Sequence, residues 1–259
     1  SGSQTAAVTF GGNPSYKNTT FKYDGSSWTT SGNLGTGRSG IAGAGTQTAT
    51  VGFGGQSDPT TLVNTTEEYD GSSWTSSNPM NTPETFRCGS AGTQTAALSF
   101  TPAFSSGNVE SYNGTTWTAE TGISTSRAYA AGCGTQTAAL AAGGADPPNK
   151  NVTEEYDGSS WTNGGNMGTG RYKLAGAGTQ TVATVYGGQT PSRTDATEVY
   201  DGSTWTNSAP LSLTTSNLSG TGAIGSAALQ IGGYSPPGSS NRTEEFTGAG
   251  PTTVTISGS

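Results

Sequence analysis

The residues of this chain that could do acid–base chemistry are mostly carboxylates, because the sequence contains 17 acidic residues and no histidine. Three adjacent glutamate pairs stand out, at Glu67–Glu68, Glu154–Glu155 and Glu244–Glu245. Two carboxylates that face one another across a cleft could act as the acid and base of a glycosidase. Neighbouring residues of a strand, however, point to opposite faces. The recurrence of the pairs at equivalent places therefore favours a structural role.

The absence of histidine also excludes several kinds of site. It removes the Ser-His-Asp and Cys-His arrangements of nucleophilic catalysis and the usual ligand sets for zinc and copper. Calcium prefers oxygen ligands, and Asp24, Asp70, Asp157 and Asp201 lie in Gly/Ser turns that could offer them. No known calcium-loop spacing accompanies them, and Asp commonly caps turns. We therefore predict that the chain is not an enzyme and holds no metal or other cofactor.

Charge and composition limit the partners that the chain could bind. Ten basic against 17 acidic residues give a net charge of −7, and Lys and Arg form no cluster. Phosphate neutralisation supplies most of the affinity of nucleic-acid binders, so we expect no nucleic acid partner. No apolar run approaches the roughly 20 residues that a membrane-spanning helix needs, so we expect no membrane insertion. Cys88 and Cys133 are predicted to be small apolar fillers rather than a disulfide.

An internal repeat organises the whole sequence. The ten residues TEEYDGSSWT begin at Thr66 and recur unchanged at Thr153, with near-copies at three more places. The aromatic residue of this motif recurs at intervals of 46, 43, 44, 44 and 46 residues, and a Trp follows five residues later in the first five copies. These markers are Tyr23, Tyr69, Tyr112, Tyr156, Tyr200 and Phe246, and Trp28, Trp74, Trp117, Trp161 and Trp205. Six units of about 44 residues fill the chain.

Each unit is predicted to form four short β-strands. A segment such as GTQTAAL is rich in small and β-branched residues, and in most copies it ends on Gly-Gly, as expected for a packed strand that leads into a turn. TEEYD alternates polar and apolar residues, its Asp-Gly predicts a tight hairpin, and SWT begins the return strand. A fourth segment rich in Gly and Ala, such as GRSGIAGAG at Gly37, indicates crowding where inner strands converge.

The arrangement resembles kelch repeats, because Gly-Gly, Tyr-Asp and Trp markers recur here at a period near 44 residues. The resemblance covers essentially the whole chain and implies an all-β, six-bladed kelch-like β-propeller, with one blade per repeat. Residues 1–259 are therefore predicted to form a single propeller domain. Repeat three has Thr-Pro-Ala where Gly-Gly belongs, and repeat six lacks the Trp. The Tyr and Trp markers are expected to fill the gaps between blades rather than to bind a ligand.

The two ends of the repeat array predict how the ring closes. The segment Thr252 to Ser257 has strong β-propensity and is expected to form the outer strand of blade six. The first unit would then lack an inner strand and leave backbone groups unpaired. An upstream segment, a tail from another copy or a three-stranded blade would resolve this.

Binding is expected where the repeats differ. The loops between the Gly-Gly and Tyr-Asp strands are variable, polar and Pro-rich, and such loops commonly carry binding on a rigid scaffold. Candidate binding residues in them are Tyr16, Phe104, Lys150, Arg193 and Tyr234. Solvated connections without a binding role are the alternative interpretation.

The sequence motifs TEEYDGSSWT and GTQTAAL are similar to those of kelch-like arrays in structural and fibre proteins of marine bacteriophages. This resemblance implies a non-enzymatic structural or adhesive module on a virion surface or in a tail fibre. Other copies, other virion or surface proteins and a host-surface receptor are the partners expected. The alternative is a secreted, extracellular, lectin-like propeller that binds a cell-surface glycan through the variable loops.

Overall fold

The structure is a computed structural model that describes residues 1–83, 89–100, 107–224, 226–247 and 251–254. Six antiparallel sheets of three or four strands are arranged as the blades of a β-propeller. The described residues contain no helix, and so none long and apolar enough to cross a membrane. The prediction of an all-β, six-bladed propeller is confirmed.

In every blade the strands follow one another from the axis outward. Blades one to three contain Ala7–Phe10 (β1), Thr20–Tyr23 (β2) and Trp28–Ser31 (β3); Ala42–Gly45 (β4), Thr50–Phe53 (β5), Thr66–Tyr69 (β6) and Trp74–Ser77 (β7); and Gly89–Thr93 (β8), Ala96–Phe100 (β9), Val109–Tyr112 (β10) and Trp117–Glu120 (β11).

Blades four and five contain Ala131–Thr135 (β12), Ala138–Ala142 (β13), Thr153–Tyr156 (β14) and Trp161–Asn163 (β15); and Ala175–Gly178 (β16), Ala183–Tyr186 (β17), Thr197–Tyr200 (β18) and Trp205–Ser208 (β19). Blade six contains Ser219–Ile224 (β20), Ala227–Ile231 (β21), Thr243–Phe246 (β24) and Pro251–Val254 (β25), with a small hairpin of Tyr234–Ser235 (β22) and Gly238–Ser239 (β23) in its loop. The inner strands β4, β8, β12, β16 and β20 lie next to one another around the axis.

The Gly-Gly pairs are required by the backbone. Gly54 and Gly55 have φ angles of +63° and +97°, which residues with a side chain rarely adopt. The same pair of positive values recurs at Gly11–Gly12, Gly143–Gly144, Gly187–Gly188 and Gly232–Gly233. This turn ends the second strand of a blade and directs the chain into the variable loop.

The two ends of the propeller carry different kinds of connection. The end that we call the upper face carries the variable loops and the connections from each outer strand to the next inner strand. The lower face carries short turns, which are GTQT in four blades and GSQT in the first, together with the Asp-Gly-Ser turns and their variants. Because neighbouring strands are antiparallel, this division holds in every blade.

Side chains of the repeat motif join neighbouring blades. At four interfaces the Trp indole of one blade donates a hydrogen bond of 2.9–3.1 Å to a Thr hydroxyl of the preceding blade. These pairs are Trp28 to Thr243, Trp74 to Thr20, Trp117 to Thr66 and Trp205 to Thr153. The aromatic markers therefore lie at the blade interfaces.

Two further contacts recur between blades. The Tyr hydroxyl donates to a Glu of the preceding blade in the pairs Tyr23 to Glu245, Tyr112 to Glu68 and Tyr200 to Glu155. The Gln of the lower turn donates to the backbone oxygen of the preceding Tyr in the pairs Gln47 to Tyr23, Gln94 to Tyr69, Gln136 to Tyr112 and Gln180 to Tyr156. Repetition of the motif thus repeats the same interface around the ring.

One interface lacks the Trp–Thr bond because the Thr is replaced. The strand that ends on the Tyr or Phe marker begins with Thr in five blades, but with Val109 in blade three. Trp161 of blade four, which would donate to it, has a buried Nε1 without a hydrogen-bond partner among the described residues. At Thr197 of blade five the Thr is present, but the Trp that would donate to it is missing. The buried hydroxyl of Thr197 has no described partner, since the sixth unit has no Trp.

We expect Val109→Thr to raise the free energy of unfolding by about 1 kcal/mol, because its hydroxyl would accept a hydrogen bond from the Trp161 indole. Both side chains are branched at Cβ, so the backbone preference is unchanged. Urea unfolding measures the gain. In a Trp161→Phe background the same substitution should give no gain, since Phe has no N–H; an equal gain there would rule out the hydrogen bond as its source.

The ring closes between blades six and one without a shared strand. Pro251–Val254 (β25) pairs with β24 as the outer strand of blade six, as expected, while residues 255–257 of the expected strand lie outside the described residues. Blade one is a three-stranded sheet. Residues 1–3 run along β1 in the inner position, with hydrogen bonds of 2.8 Å from Val8 N to Ser1 O and 2.9 Å from Ser3 N to Ala6 O.

Between blades five and six, an apolar contact replaces the Tyr–Glu hydrogen bond that is found at other interfaces. Phe246 stands where the other blades have Tyr, and Val199 of blade five stands where Glu68 and Glu155 accept the Tyr hydroxyl in their blades. Val199 packs against the cluster that contains Phe246. Two positions that face each other have therefore changed together, from a hydrogen-bonded pair to an apolar pair.

Candidate functional site

The candidate site lies in the central channel between the inner strands. Two cavities occupy this channel, of about 220 Å³ toward the upper face and about 490 Å³ toward the lower face. Six residues line both cavities and form a waist with one residue from each blade: Ser1, Gly43, Ser90, Gly132, Gly176 and Gly220. Glycine is needed at position 132, because a Cβ on Gly132 would lie only 2.6 Å from the backbone nitrogen of Ser90. The inner strands are therefore as crowded as the sequence predicted.

The upper cavity has the more varied lining. Tyr129 and Lys173 lie at its rim, and its wall includes the apolar side chains of Ile41, Leu174 and Leu218. Pockets for complete small ligands usually measure about 300–1,000 Å³. A cavity of about 220 Å³ would therefore admit one substituent of a larger ligand.

The lower cavity is lined by the repeated turns and by Cys133. This cysteine is free and buried, and burial raises the pKa of its thiol to about 12. The thiolate is the reactive form of cysteine, so Cys133 is an inert apolar side chain, as expected for this residue. Cys88 lies outside the described residues.

Two residues at the rim of the upper cavity, Tyr129 and Lys173, have a strained backbone, as does Asn217, which is outside the cavity lining. Tyr129, Lys173 and Asn217 occupy equivalent positions in blades four, five and six, with φ angles of +59°, +57° and +57°. Gly40 occupies this position in blade two, with φ of +64°, and glycine adopts the left-handed region without a steric cost. Residues that retain a side chain in such a conformation concentrate at functional sites. The rim is therefore a candidate site on conformational grounds.

Backbone hydrogen bonds across blade boundaries hold this rim together. Lys173 N donates to Tyr129 O at 3.1 Å, and Asn217 N donates to Lys173 O at 3.0 Å. Three successive blades thus fix the positions of Tyr129 and Lys173 at the rim.

Lys173 lies between two aromatic rings. Its Nζ is 5.3 Å from the centroid of the Tyr129 ring and 5.2 Å from that of Tyr172, within the usual range of a cation–π contact. The two rings meet edge to face, with centroids 6.1 Å apart. A positive charge and two phenol groups are therefore held at the mouth of the channel.

A second cation–aromatic pair lies on the variable loops of the upper face. The guanidinium of Arg193 lies over the Tyr234 ring, 4.3 Å from its centroid. Backbone bridges join Tyr172 to Gln189 and Gln189 to Arg193, which connects this pair to the lysine cluster through blade five. We call the five residues Tyr129, Tyr172, Lys173, Arg193 and Tyr234 the aromatic arc.

The other candidates from the variable loops lie elsewhere. Tyr16 lies in blade one with φ of +47°, and the backbone of Lys150 in blade four bonds to Gly144 and Arg171. No contact described here joins Tyr16 or Lys150 to the aromatic arc. Phe104 lies outside the described residues. The structure thus brings together two of the four described candidates.

Three residues of the arc were not expected from the sequence. Tyr129, Tyr172 and Lys173 lie in the Gly/Ala-rich fourth segment, which was assigned only to packing of the inner strands. A signal was present, because the two residues after the Arg position change from Ser-Gly to Ala-Tyr, Tyr-Lys and Ser-Asn between repeats. Variation within a packing segment, and not only within the loops, would have pointed to this rim.

The first glutamate of each pair is buried within its own blade. Arg127 Nη1 donates to Glu154 Oε1 at 3.2 Å, and both side chains are fully buried. Arg38 with Glu67, and Arg171 with Glu198, form equivalent pairs at 2.5 Å. Burial lowers the pKa of these three arginines, and the facing carboxylate opposes that shift.

The second glutamate serves the blade interface. Glu155 Oε1 accepts the hydrogen bond of the Tyr200 hydroxyl at 2.7 Å. Burial, followed by this hydrogen bond, raises the pKa of Tyr200 to about 12. Both carboxylates of a pair are thus engaged in structural bonds rather than placed together in a cleft.

The turn aspartates accept hydrogen bonds from their own turns. Asp157 Oδ1 accepts from the backbone nitrogens of Ser159 and Ser160 at 2.8 Å, and Asn113 takes the same position in blade three. Such hydrogen bonds favour the charged carboxylate and lower the pKa of Asp157 to about 2. Within the described ranges, no three His, Cys, Asp or Glu side chains are grouped so that they could hold a metal ion.

We expect acid to weaken the fold through these turns. With a folded pKa of about 2 against an ordinary value of 3.8, the stabilisation is complete above about pH 4 and is lost as the pH falls toward 2. Replacing Asp24, Asp70, Asp157 and Asp201 together by Asn keeps the acceptor oxygens, as Asn113 does, but removes the titrating groups. Thermal melts from pH 5 to 2 should therefore show a shallower decline for the variant. Identical slopes would contradict the role of these carboxylates.

Solved structures share this fold, whereas the sequence comparisons find no match. No protein-family model matches this chain, and no curated protein matches it in sequence. Among solved structures, the chain is similar to one titled "Structure of YjhT", with a TM-score of 0.76 and 13% sequence identity over 96% of this chain and 95% of that chain. At this identity the similarity shows the fold alone, and it supports the six-bladed β-propeller.

Proposed function

We propose that this chain is a non-enzymatic structural or adhesive surface module, built of kelch-like repeats, and that it belongs to a bacteriophage virion or tail fibre. The contrast between its two faces carries the proposal. The lower turns are nearly the same in blades one to five, whereas the upper loops differ in length and sequence. A uniform face suits attachment to other copies or other virion or surface proteins, and a variable face suits recognition of a host-surface receptor.

The use of the charged side chains supports a role without catalysis. The buried arginines pair with glutamates, and the turn aspartates cap their own turns. Groups that are committed to the scaffold in several blades at once are poorly suited to a reaction, since active sites normally occupy one place in a repeat array. Turnover of a polysaccharide by the purified chain, abolished by one Asp or Glu substitution, would contradict this part of the proposal.

Labelling of particles tests the proposed location. An antibody raised against the chain should mark phage particles at a constant position in electron micrographs, and mass spectrometry of purified particles should detect the chain. Detection in the culture medium with none on particles would contradict the proposal.

A secreted, lectin-like propeller is the second candidate. The aromatic arc favours it, because tyrosines combine an apolar ring with a polar hydroxyl and suit the mixed surface of a sugar. Glycan binding by the chain in the medium, without association with a particle, would favour this candidate over the first.

A further inference from the structure

We propose that the aromatic arc binds an acidic polysaccharide and that the upper cavity takes up one carboxylate or sulfate substituent of that polymer. The assignment rests on the proposed adhesive function and specifies the chemistry of its receptor. Carboxylate and sulfate substituents share one property that the site would recognise, which is an anionic group carried on a sugar ring.

The charge distribution favours an anionic ligand, although the chain has a net charge of −7. Lys173 and Arg193 lie on the upper face, whose variable loops also contain Asp58, Asp146 and Asp195. The aspartates of the Asp-Gly turns lie on the lower face, at the other end of each blade. The attraction for an anion is therefore local to the arc, where Lys173 lies at the channel mouth and Arg193 lies on the neighbouring loop.

The shape of the site favours a polymer over a small free anion. The cavity of about 220 Å³ holds one substituent, while the arc continues from Tyr129 in blade four to Tyr234 at the loop of blade six. A ligand that uses both parts must be an extended chain with a charged group on a small side branch. Tyrosine rings along the arc can pack against sugar rings and bond to their hydroxyls.

The backbone of Lys173 gives independent support. This residue has φ of +57°, at a position where blade two has Gly40 with φ of +64°. Glycine would adopt the conformation more easily, so a scaffold role alone does not explain a lysine. The constraint instead places an ammonium group at the channel mouth, between two tyrosines.

The same feature gives a sharp test, because removing the side chain also relieves the backbone. We expect Lys173→Gly to keep or raise the melting temperature and to weaken binding to a polyanion by about tenfold or more. Asn217→Gly is the matched control, since it relieves the equivalent position in blade six, φ +57°, without a loss of charge. Lys17→Ala removes a charge from an exposed residue of the upper face outside the arc. Both controls should bind within about twofold of wild type.

The probes are alginate for carboxylates, dextran sulfate for sulfates and unmodified dextran as the neutral polymer, measured by biolayer interferometry with the full chain. Binding to one or both polyanions, none to dextran, and loss only in Lys173→Gly would support the site, and the better polyanion would identify the substituent. Binding to neither polyanion would overturn it. So would an equal loss in all three variants, or full binding by Lys173→Gly.

The binding experiment and the labelling of particles can fail independently of each other. Particles that carry the chain, together with no polyanion binding, would overturn the polysaccharide site and leave the structural role standing. Polyanion binding that depends on Lys173, together with no chain on any particle, would overturn the virion location and leave the site standing.

Discussion

Replacing Trp161 by Ala should lower the free energy of unfolding by about 3–5 kcal/mol, the range for deletion of a large buried aromatic side chain. Trp161 is only 8% exposed. Its ring lies 5.2 Å from that of Phe100 in the preceding blade and 5.0 Å from that of Tyr156 in its own blade. The substitution would open a cavity between blades three and four, which the rigid sheets could fill only in part.

Guanidinium unfolding followed by circular dichroism measures this loss. Phe21→Ala is the matched control, because Phe21 is 36% exposed and its truncation should cost less than about 1 kcal/mol. A near-zero effect at Trp161 would mean that the indole leaves the interface in solution. The marker would then be available to stack on a ligand, against the role that the structure gives it.

Replacing Arg127 by Met should also cost about 3–5 kcal/mol, because it leaves the carboxylate of Glu154 buried without its partner. Both side chains of this pair are fully buried. The guanidinium also donates to the backbone oxygens of Gly143 and Ala141, so its loss leaves several acceptors unsatisfied. Chemical unfolding at pH 7 gives the size of the effect.

Two further variants separate the ion pair from general packing. Arg127→Met combined with Glu154→Gln should recover part of the loss, since the buried charge is gone. Arg242→Met is the exposed control, because Arg242 is 30% exposed and lies 3.8 Å from Glu244, and it should cost less than about 1 kcal/mol. A loss at Arg127 no larger than at Arg242 would contradict the structural role of the buried pair.

Blade six shows how the fold accommodates the absence of this arginine. Thr215 takes the Arg position there and shares a hydrogen bond of 2.7 Å with the hydroxyl of Ser235. The buried Glu244 accepts from the backbone nitrogen of Ser212 at 3.0 Å, as Glu154 accepts from that of Ser124 in blade four. The Ser124 donor therefore remains after Arg127→Met, and the expected cost comes from the lost ion pair and from the backbone oxygens of Gly143 and Ala141.

The blade architecture could be predicted because it depends on local rules. The period of the Tyr and Trp markers set the number of blades, and the Gly-Gly and Asp-Gly pairs set the turns through their tolerance of positive φ. TEEYD alternates polar and apolar residues and was predicted correctly as a strand, although its burial does not alternate, since Thr66, Glu67 and Tyr69 are all buried. Each of these signals lies within one repeat, so no knowledge of the assembled ring was needed.

The inter-blade partners could not be predicted in the same way. The bond from Trp74 to Thr20 joins residues 54 positions apart, and the motif alone does not say which residue of the preceding blade lies opposite. The unpartnered indole of Trp161 follows from Val109 in a different unit. Such pairs become visible only when the blades are placed side by side.

The sequence by itself determined an all-β chain of six repeats and marked Arg193 and Tyr234 as loop residues that differ from the scaffold. Only the tertiary structure decided that Arg193 packs on Tyr234 and that Lys173 lies between Tyr129 and Tyr172 at the channel mouth. The physical reason is that hydrophobic pattern and turn chemistry act over a few residues. The rim of the channel instead depends on ring closure, which brings three blades together and holds a lysine in a backbone conformation that the local sequence does not favour.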